Sequence, residues 1–274
     1  MSYYRQYHPS ALLAPFIECY WVFRSPCLFR EERLIPGGRV EMIFNFGDPF
    51  RWLIDQETPQ GDLISQVHLM GQRDRIFFGR PSGKIDMLGV RFKAGGLPAF
   101  TSVPVCGLLN RMVPAEQVLG AGVKEWEEPL YDKEKDADRI VLLDQLLRER
   151  VRDLSQEEQL LQAAAGSIRA KKEEVSIRAI ADQAGWSYKR LERAFLRTVG
   201  YTPKSYHKIV RFNTAVRRMS SGKDRSLTEV CYECGYYDQA HFIKDFRRYT
   251  GTAPGHFQSE DNAIASFLIR HQPV

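Results

Sequence analysis

IRAIADQAGWSYKRLERAFLRTVGYTPKSY (177–206) and LTEVCYECGYYDQAHFIKDFRRYTGTAPGHF (227–257) are one pattern written twice. Up to a central glycine the offset is 50, so Ile177, Ile180, Ala181, Ala184, Gly185 and Trp186 align with Leu227, Val230, Cys231, Cys234, Gly235 and Tyr236. One residue is then inserted. Beyond it the offset is 51, and Ser187, Leu191, Phe195, Gly200, Pro203 and Tyr206 align with Asp238, Phe242, Phe246, Gly251, Pro254 and Phe257. In the first copy the apolar residues fall at i, i+3, i+4 and i+7, one stripe on a short helix. Gly185 stands where a left-handed residue turns the chain. Ser187 is a good cap for a second helix, and Leu191, Ala194, Phe195 and Val199 supply its buried face. In the second copy Asp238 takes the cap and Phe242 and Phe246 the stripe. Each copy reads as a helix-turn-helix.

Working outward, Thr202-Pro203 reads as a cap followed by proline in a first helical turn, and Ser221-Gly222 as the stop. The helix between them turns Ile209, Phe212, Ala215, Val216 and Met219 inward and Lys208, Arg211 and Arg217 to other faces, joining the motifs rigidly. Upstream, Leu160, Leu161, Ala164, Ala165 and Ile168 predict a helix leading into a polar stretch to Glu174. Val118, Leu119, Val123 and Trp126 predict another. Ile140, Leu143, Leu147, Val151 and Leu154 form a seam close to a heptad, which we read as the contact between two subunits.

Before about Val113 the pattern changes to short aromatic and β-branched runs: 19–23, 40–46, 67–70, 76–78 and 85–92. Turn signals at Pro36-Gly37-Gly38, Gly47-Asp48-Pro49 and Pro81-Ser82-Gly83 separate them. Short helical pieces are expected near 10–15 and 96–100. The expected fold is α+β: a β-rich, barrel-like sensor domain (1–113), a helical linker and dimerisation segment (114–155), an all-α domain with two helix-turn-helix motifs (156–258), and a tail (259–274) too apolar to be a loose end.

Composition bounds the function. With 274 residues and 43% hydrophobic content the chain can hold two cored domains. Its net charge of +5 is unevenly placed: residues 156–258 hold 18 Lys+Arg against 11 Asp+Glu, leaving 21 against 23 elsewhere. The positive charge lies with the repeat, as a polyanion partner requires. No run approaches a membrane span and MSYYRQYHPS is no leader, so a soluble cytoplasmic protein is expected. Five cysteines at irregular spacing suggest no disulfide framework, and Cys231 and Cys234, aligned with two alanines, read as packing residues. We expect no metal, no cofactor and no enzymatic activity.

IRAIADQAGWSYKRLERAF, GYTPKSYHKIVRFNTAVRRM and the second motif with its Gly-Tyr…Phe…Phe-Arg-Arg…Gly…Pro pattern resemble the AraC/XylS family of bacterial transcription regulators over about 100 residues. The resemblance implies two helix-turn-helix subdomains joined by a helix, binding one face of DNA and coupled to an effector or dimerisation domain. Tyr237 and Ala240 depart from the family, which often has serine and a polar residue there. Ile35-Pro36-Gly37-Gly38, Glu41 to Asn45 and Gly89 to Gly96 are similar to sensor regions of some such regulators.

The second helix of each motif would enter a major groove. Outward positions in the first are Tyr188, Lys189, Glu192 and Arg193; Arg193 can donate two hydrogen bonds to guanine and Glu192 can accept from cytosine. In the second they are Gln239, Ala240, His241, Ile243 and Lys244, where Gln239 suits adenine and Ile243 a thymine methyl. Glu192 can instead pair with an arginine, and His241 can pack beside the turn. Arg190, Arg197, Arg247 and Arg248 read as phosphate contacts. A small-molecule pocket in the front domain would draw on Trp21, Phe23, Phe44, Phe46, Phe78 and Phe92. Expected partners are double-stranded DNA, a small-molecule effector, a second copy of the chain and RNA polymerase. Two other readings stand beside this regulator: a DNA-repair alkyl-transfer protein, which would need a clustered zinc-thiolate site and a nucleophilic cysteine in the front domain, a spacing that Cys19, Cys27 and Cys106 lack, and a regulator that senses a partner protein.

Overall fold

The computed structural model describes residues 2–26, 31–53, 62–63, 67–170, 176–220 and 226–259. The front half holds β1 (Tyr3–Tyr7), β2 (Ile17–Ser25), β3 (Glu32–Leu34), β4 (Glu41–Asn45), β5 (Phe50–Leu53), β6 (Asp62–Leu63), β7 (Val67–Met70), β8 (Phe77–Pro81), β9 (Ile85–Phe92) and β10 (Met112–Pro114). Every described pairing is antiparallel. One sheet runs β1-β2-β9-β4-β7-β10 and the other β3-β8-β5-β6, two open sheets that face each other.

The large sheet is covered on both faces, which is why β4 and β9 are buried from end to end. On one face Cys19, Trp21, Phe23, Ile43 and Met87 meet Leu34, Phe50, Trp52 and Phe77 of the small sheet. On the other, Tyr20, Val22, Phe44, Leu88, Val90 and Phe92 meet helices. The strands expected at 19–23, 40–46, 67–70, 76–78 and 85–92 are present as β2, β4, β7, β8 and β9. β1, β3, β5, β6 and β10 lacked a clear local signal: β3 and β10 are three residues long and YYRQY is largely polar.

Helices α1 (Glu116–Leu119), α2 (Glu127–Tyr131) and α3 (Asp136–Arg148) pack on the large sheet. The helix expected through 118–126 is broken at Gly120, whose φ of 88° ends α1, and continues as a 3-10 helix, Ala121–Trp126. The heptad-like seam is an internal face: Ile140, Leu143 and Leu147 lie in the same core as Tyr20 and Leu88. Asp144 accepts hydrogen bonds from the Tyr20 hydroxyl and the Ser10 amide, both 2.9 Å, and Asp136 pairs with Arg24 at 2.6 Å. The seam is therefore filled within one chain and does not serve as the subunit contact expected of it. Residues 116–148 share the core of the front domain.

The remaining helices are α4 (Gln156–Ala170), α5 (Ile177–Gln183), α6 (Tyr188–Val199), α7 (Pro203–Ser220), α8 (Leu227–Glu233), α9 (Gln239–Thr250) and α10 (Pro254–Ser259). They enclose one core, with Leu161, Phe195, Phe212, Phe242 and Phe246 at its centre and Ile35 of the front half included. No helix among the described residues is long and apolar enough to cross a membrane. The stop expected at 221–222, most of the tail and Cys27 lie outside the described residues.

Candidate nucleic-acid interface

Both motifs are built by the same local devices. Ser187 caps α6 by accepting from the Arg190 amide at 3.3 Å, and Asp238 caps α9 by accepting from the His241 amide at 2.6 Å. Gly185 and Gly235 carry the left-handed turns, with φ of 65° and 71°. A reciprocal capping box of Ser226 and Glu229 starts α8. Trp186 and Tyr236 each return an amide to the preceding helix, on Ala181 and Cys231. The thiols of Cys231 and Cys234 are buried in the helical core, and burial pushes both pKa values up. They are packing residues.

The outer face of α6 exposes Tyr188, Lys189, Arg193 and Arg197, with Glu192 half-buried. That of α9 exposes Gln239, Ala240, Lys244, Arg247 and Arg248. Four side chains are partly engaged within the chain. Arg190 lies 4.4 Å from the Trp186 ring centre and 3.5 Å from Glu157. His241 meets the Tyr236 ring edge-on and stands 3.5 Å from Asp245, and Ile243 leans on the helical core. Arg248 reaches Asp74 of the front domain at 3.2 Å.

Two residues to which the sequence assigned no place in the interface belong to it. Arg211 of α7 donates to the Gly235 carbonyl at 3.1 Å, approaches Asp245 at 3.3 Å and lies 3.9 Å from the Tyr236 ring centre, so it holds the second turn. Tyr237 is the residue inserted between the copies, and it stands 89% exposed just before the α9 cap. The one-residue change of offset was the signal for it.

The helical half is fastened to the front half. Gln72 donates to the Val199 carbonyl at 3.0 Å, Asn213 to that of Pro36 at 3.1 Å, and the Tyr201 hydroxyl to that of Arg73. Gln162 reaches the Pro15 carbonyl at 3.1 Å, and Arg169 stands 3.7 Å from Glu18.

Between the sheets lies a cavity of about 660 Å³, its mouth included. Of the six aromatics expected to line it, Trp21 and Phe23 do. Phe44 and Phe92 point to the opposite face of the large sheet, because neighbours along a strand alternate and both belong to the other parity. Phe46 lies just past β4 and packs under the Arg139 guanidinium, 4.6 Å from its ring centre. Phe78 is buried outside the cavity wall, while its neighbour Phe77 stacks on Trp52. Cys19 is buried with its thiol pushed up to about 12 by burial, the wrong direction for an alkyl-accepting thiolate.

Residues 180–260 match a family described as a helix-turn-helix domain, and residues 5–114 match one described as a domain of unknown function, DUF6597. The chain is 35% identical over 92 residues to the HTH-type transcriptional activators RhaS of Salmonella arizonae and Salmonella paratyphi B. That match covers 34% of this chain and spans about a third, 33%, of those relatives' length. The fold is similar to that of ToxT from Vibrio cholerae, with a TM-score of 0.50 and 10% identity over 88% of this chain and 97% of that one. With two like motifs on one core behind a β-rich domain, the chain is similar to the AraC/XylS family of transcription regulators.

Proposed function

We propose that the chain recognises specific duplex DNA sequences with α6 and α9 together and regulates transcription from them. The observation that carries this is the mounting of two like-capped, basic-faced helices on one core, joined by the 18-residue helix α7. Major-groove segments on one face of DNA recur at roughly 34 Å. One chain would address two neighbouring major-groove segments on one face, with the duplex bending to meet both. Tyr188, Lys189, Glu192 and Arg193 would read bases through the first motif and Gln239, Ala240, Ile243 and Lys244 through the second, His241 being partly committed to Tyr236 and Asp245. Arg197 and Arg247 suit phosphates. Hydroxyl-radical footprinting of one bound chain is expected to show two protected patches about one turn apart; a single patch would assign the second motif to packing.

The front domain would control this binding through a small molecule held between its sheets. Two short segments favour that arrangement. Leu34 and Glu41 line the cavity, and between them Ile35 enters the helical core and Pro36 accepts from Asn213 of α7. Met70 lines it too, and within four residues Gln72, Arg73 and Asp74 meet Val199, Tyr201 and Arg248. A ligand that prefers one arrangement of these segments shifts the helices they hold. A second copy of the chain and RNA polymerase are the further partners of this reading.

A further inference from the structure

Residues 71–76 lead from β7 in the large sheet to β8 in the small one, and they meet the C-terminal ends of both α6 and α9. At α6 the Gln72 side chain donates at 3.0 Å to the carbonyl of Val199, the last residue of the helix, which has no acceptor role left within it. A Cβ on the cap residue Gly200 would stand 2.9 Å from Gln72, so the two are in close contact. At α9 Asp74 holds Arg248 of the last turn at 3.2 Å, and Ile76 lies 3.8 Å from where a Cβ on the cap residue Gly251 would stand. The connection is itself braced. Asn110 is the only non-glycine with positive φ among the described residues, at 56°, a left-handed backbone that asparagine tolerates. Its amide donates to the Gln72 carbonyl at 2.7 Å, its side chain donates to Asp74 at 2.8 Å, and it accepts from the Asp74 amide at 3.0 Å. Asp74 is thus fixed from behind where it meets Arg248.

A recognition helix reads DNA with its N-terminal turns, so its C-terminal end is the pivot that aims it. α6 and α9 have 12 residues each, about 18 Å at ~1.5 Å per residue. A pivot of about 10° at one end moves the other by about 3 Å, close to the ~3.4 Å between successive base pairs. We infer that the β7–β8 connection gauges the distance between the two DNA segments the chain binds, with Gln72 and Asp74 as positioning residues that set where α6 and α9 enter their grooves. This rests on the reading of both helices as DNA-binding. α7 ties the motifs through their common core, and the connection adds a second tie at the ends remote from the grooves.

The test selects duplexes from a random library with the full-length wild-type chain and maps the protected patches by hydroxyl-radical footprinting. The sequence between the two patches is then lengthened and shortened by one and two base pairs. Wild type is expected to lose at least about ten-fold in affinity for a change of one base pair, the order of one lost base-pair contact. The double variant Gln72→Ala, Asp74→Ala should lose less than about three-fold for the same change. Release of Arg248 can raise affinity at every spacing, so the readout is the ratio between spacings. Asn110→Gly, which keeps the left-handed backbone and frees Asp74, should shift that ratio in the same direction and serves if the double variant does not fold. Variants that keep the wild-type ratio, including any that gain or lose affinity equally at every spacing, overturn the gauge and leave spacing to α7. A wild type indifferent to spacing overturns it as well. Selection of no duplex, or a single protected patch, overturns the two-groove reading together with the gauge.

Discussion

Arg193 and Arg197 stand one turn apart on the exposed face of α6, and their distances from the Ser187 cap give them different tasks. A side chain in the first turns of a recognition helix reaches base edges, whereas one near its end meets the backbone. Arg193→Ala is therefore expected to cost about 1–3 kcal/mol on the preferred site and to relax preference at one base pair. Arg197→Ala should weaken all sequences alike and lower the salt slope by about 1. Affinities across a site library at two salt concentrations separate the two, and equal losses on every sequence for Arg193→Ala would remove its base-reading role. The caps Ser187 and Asp238 were legible because a cap and its helix lie within three residues of each other. The pairing of Arg248 with Asp74 was not, because the partners are 174 residues apart in a pattern that carries no long-range register.

At α4 a cap and an ion pair coincide. Glu158 accepts from Arg152 at 2.7 and 3.0 Å and from the Ser155 amide at 2.8 Å, while Ser155 accepts from the Glu158 amide. The hydrogen bonds from Arg152, foremost, hold the Glu158 carboxyl at about 2, below its ordinary 4.5. A folded pKa below the unfolded one stabilises at pH above the unfolded value and stops doing so as pH falls through the folded one. Thermal melts of wild type and Glu158→Gln should thus differ by a constant amount at neutral pH and converge between about 4.5 and about 2; a gap that persists at the acid end would remove the ion pair's role. Periodicity told which side of each element is buried, but not against what. Ile140, Leu143 and Leu147 marked a buried face of α3 and could not say that their own sheet fills it. On β4 both parities are buried, so Phe44 gave no sign of pointing away from the cavity that Ile43 lines.

The molecule as a whole holds its halves together through side chains that neither half satisfies alone. Gln72, Tyr201 and Asn213 each bond to backbone across the boundary, and Gly200, at φ 89°, is pressed so close that a Cβ would meet Gln72 at 2.9 Å and Val105 at 3.0 Å. The chain is expected to melt in one calorimetric transition, and the triple variant Gln72→Ala, Tyr201→Phe, Asn213→Ala to resolve it into two. Two transitions in the unaltered chain would show that the halves unfold independently. Division into a strand-rich front and a helical back was legible from the change of hydrophobic period near residue 114, but the boundary's bonds were not, since Gln72 and Asn213 look like ordinary polar residues in isolation. Ile35 carries the further consequence. Because a residue from the β3–β4 connection completes the core of the helical half, that half is not an interchangeable module. A chimera joining it to a foreign sensor would inherit a gap in that core, and successful grafting would require the donor to bring an isoleucine-sized plug of its own.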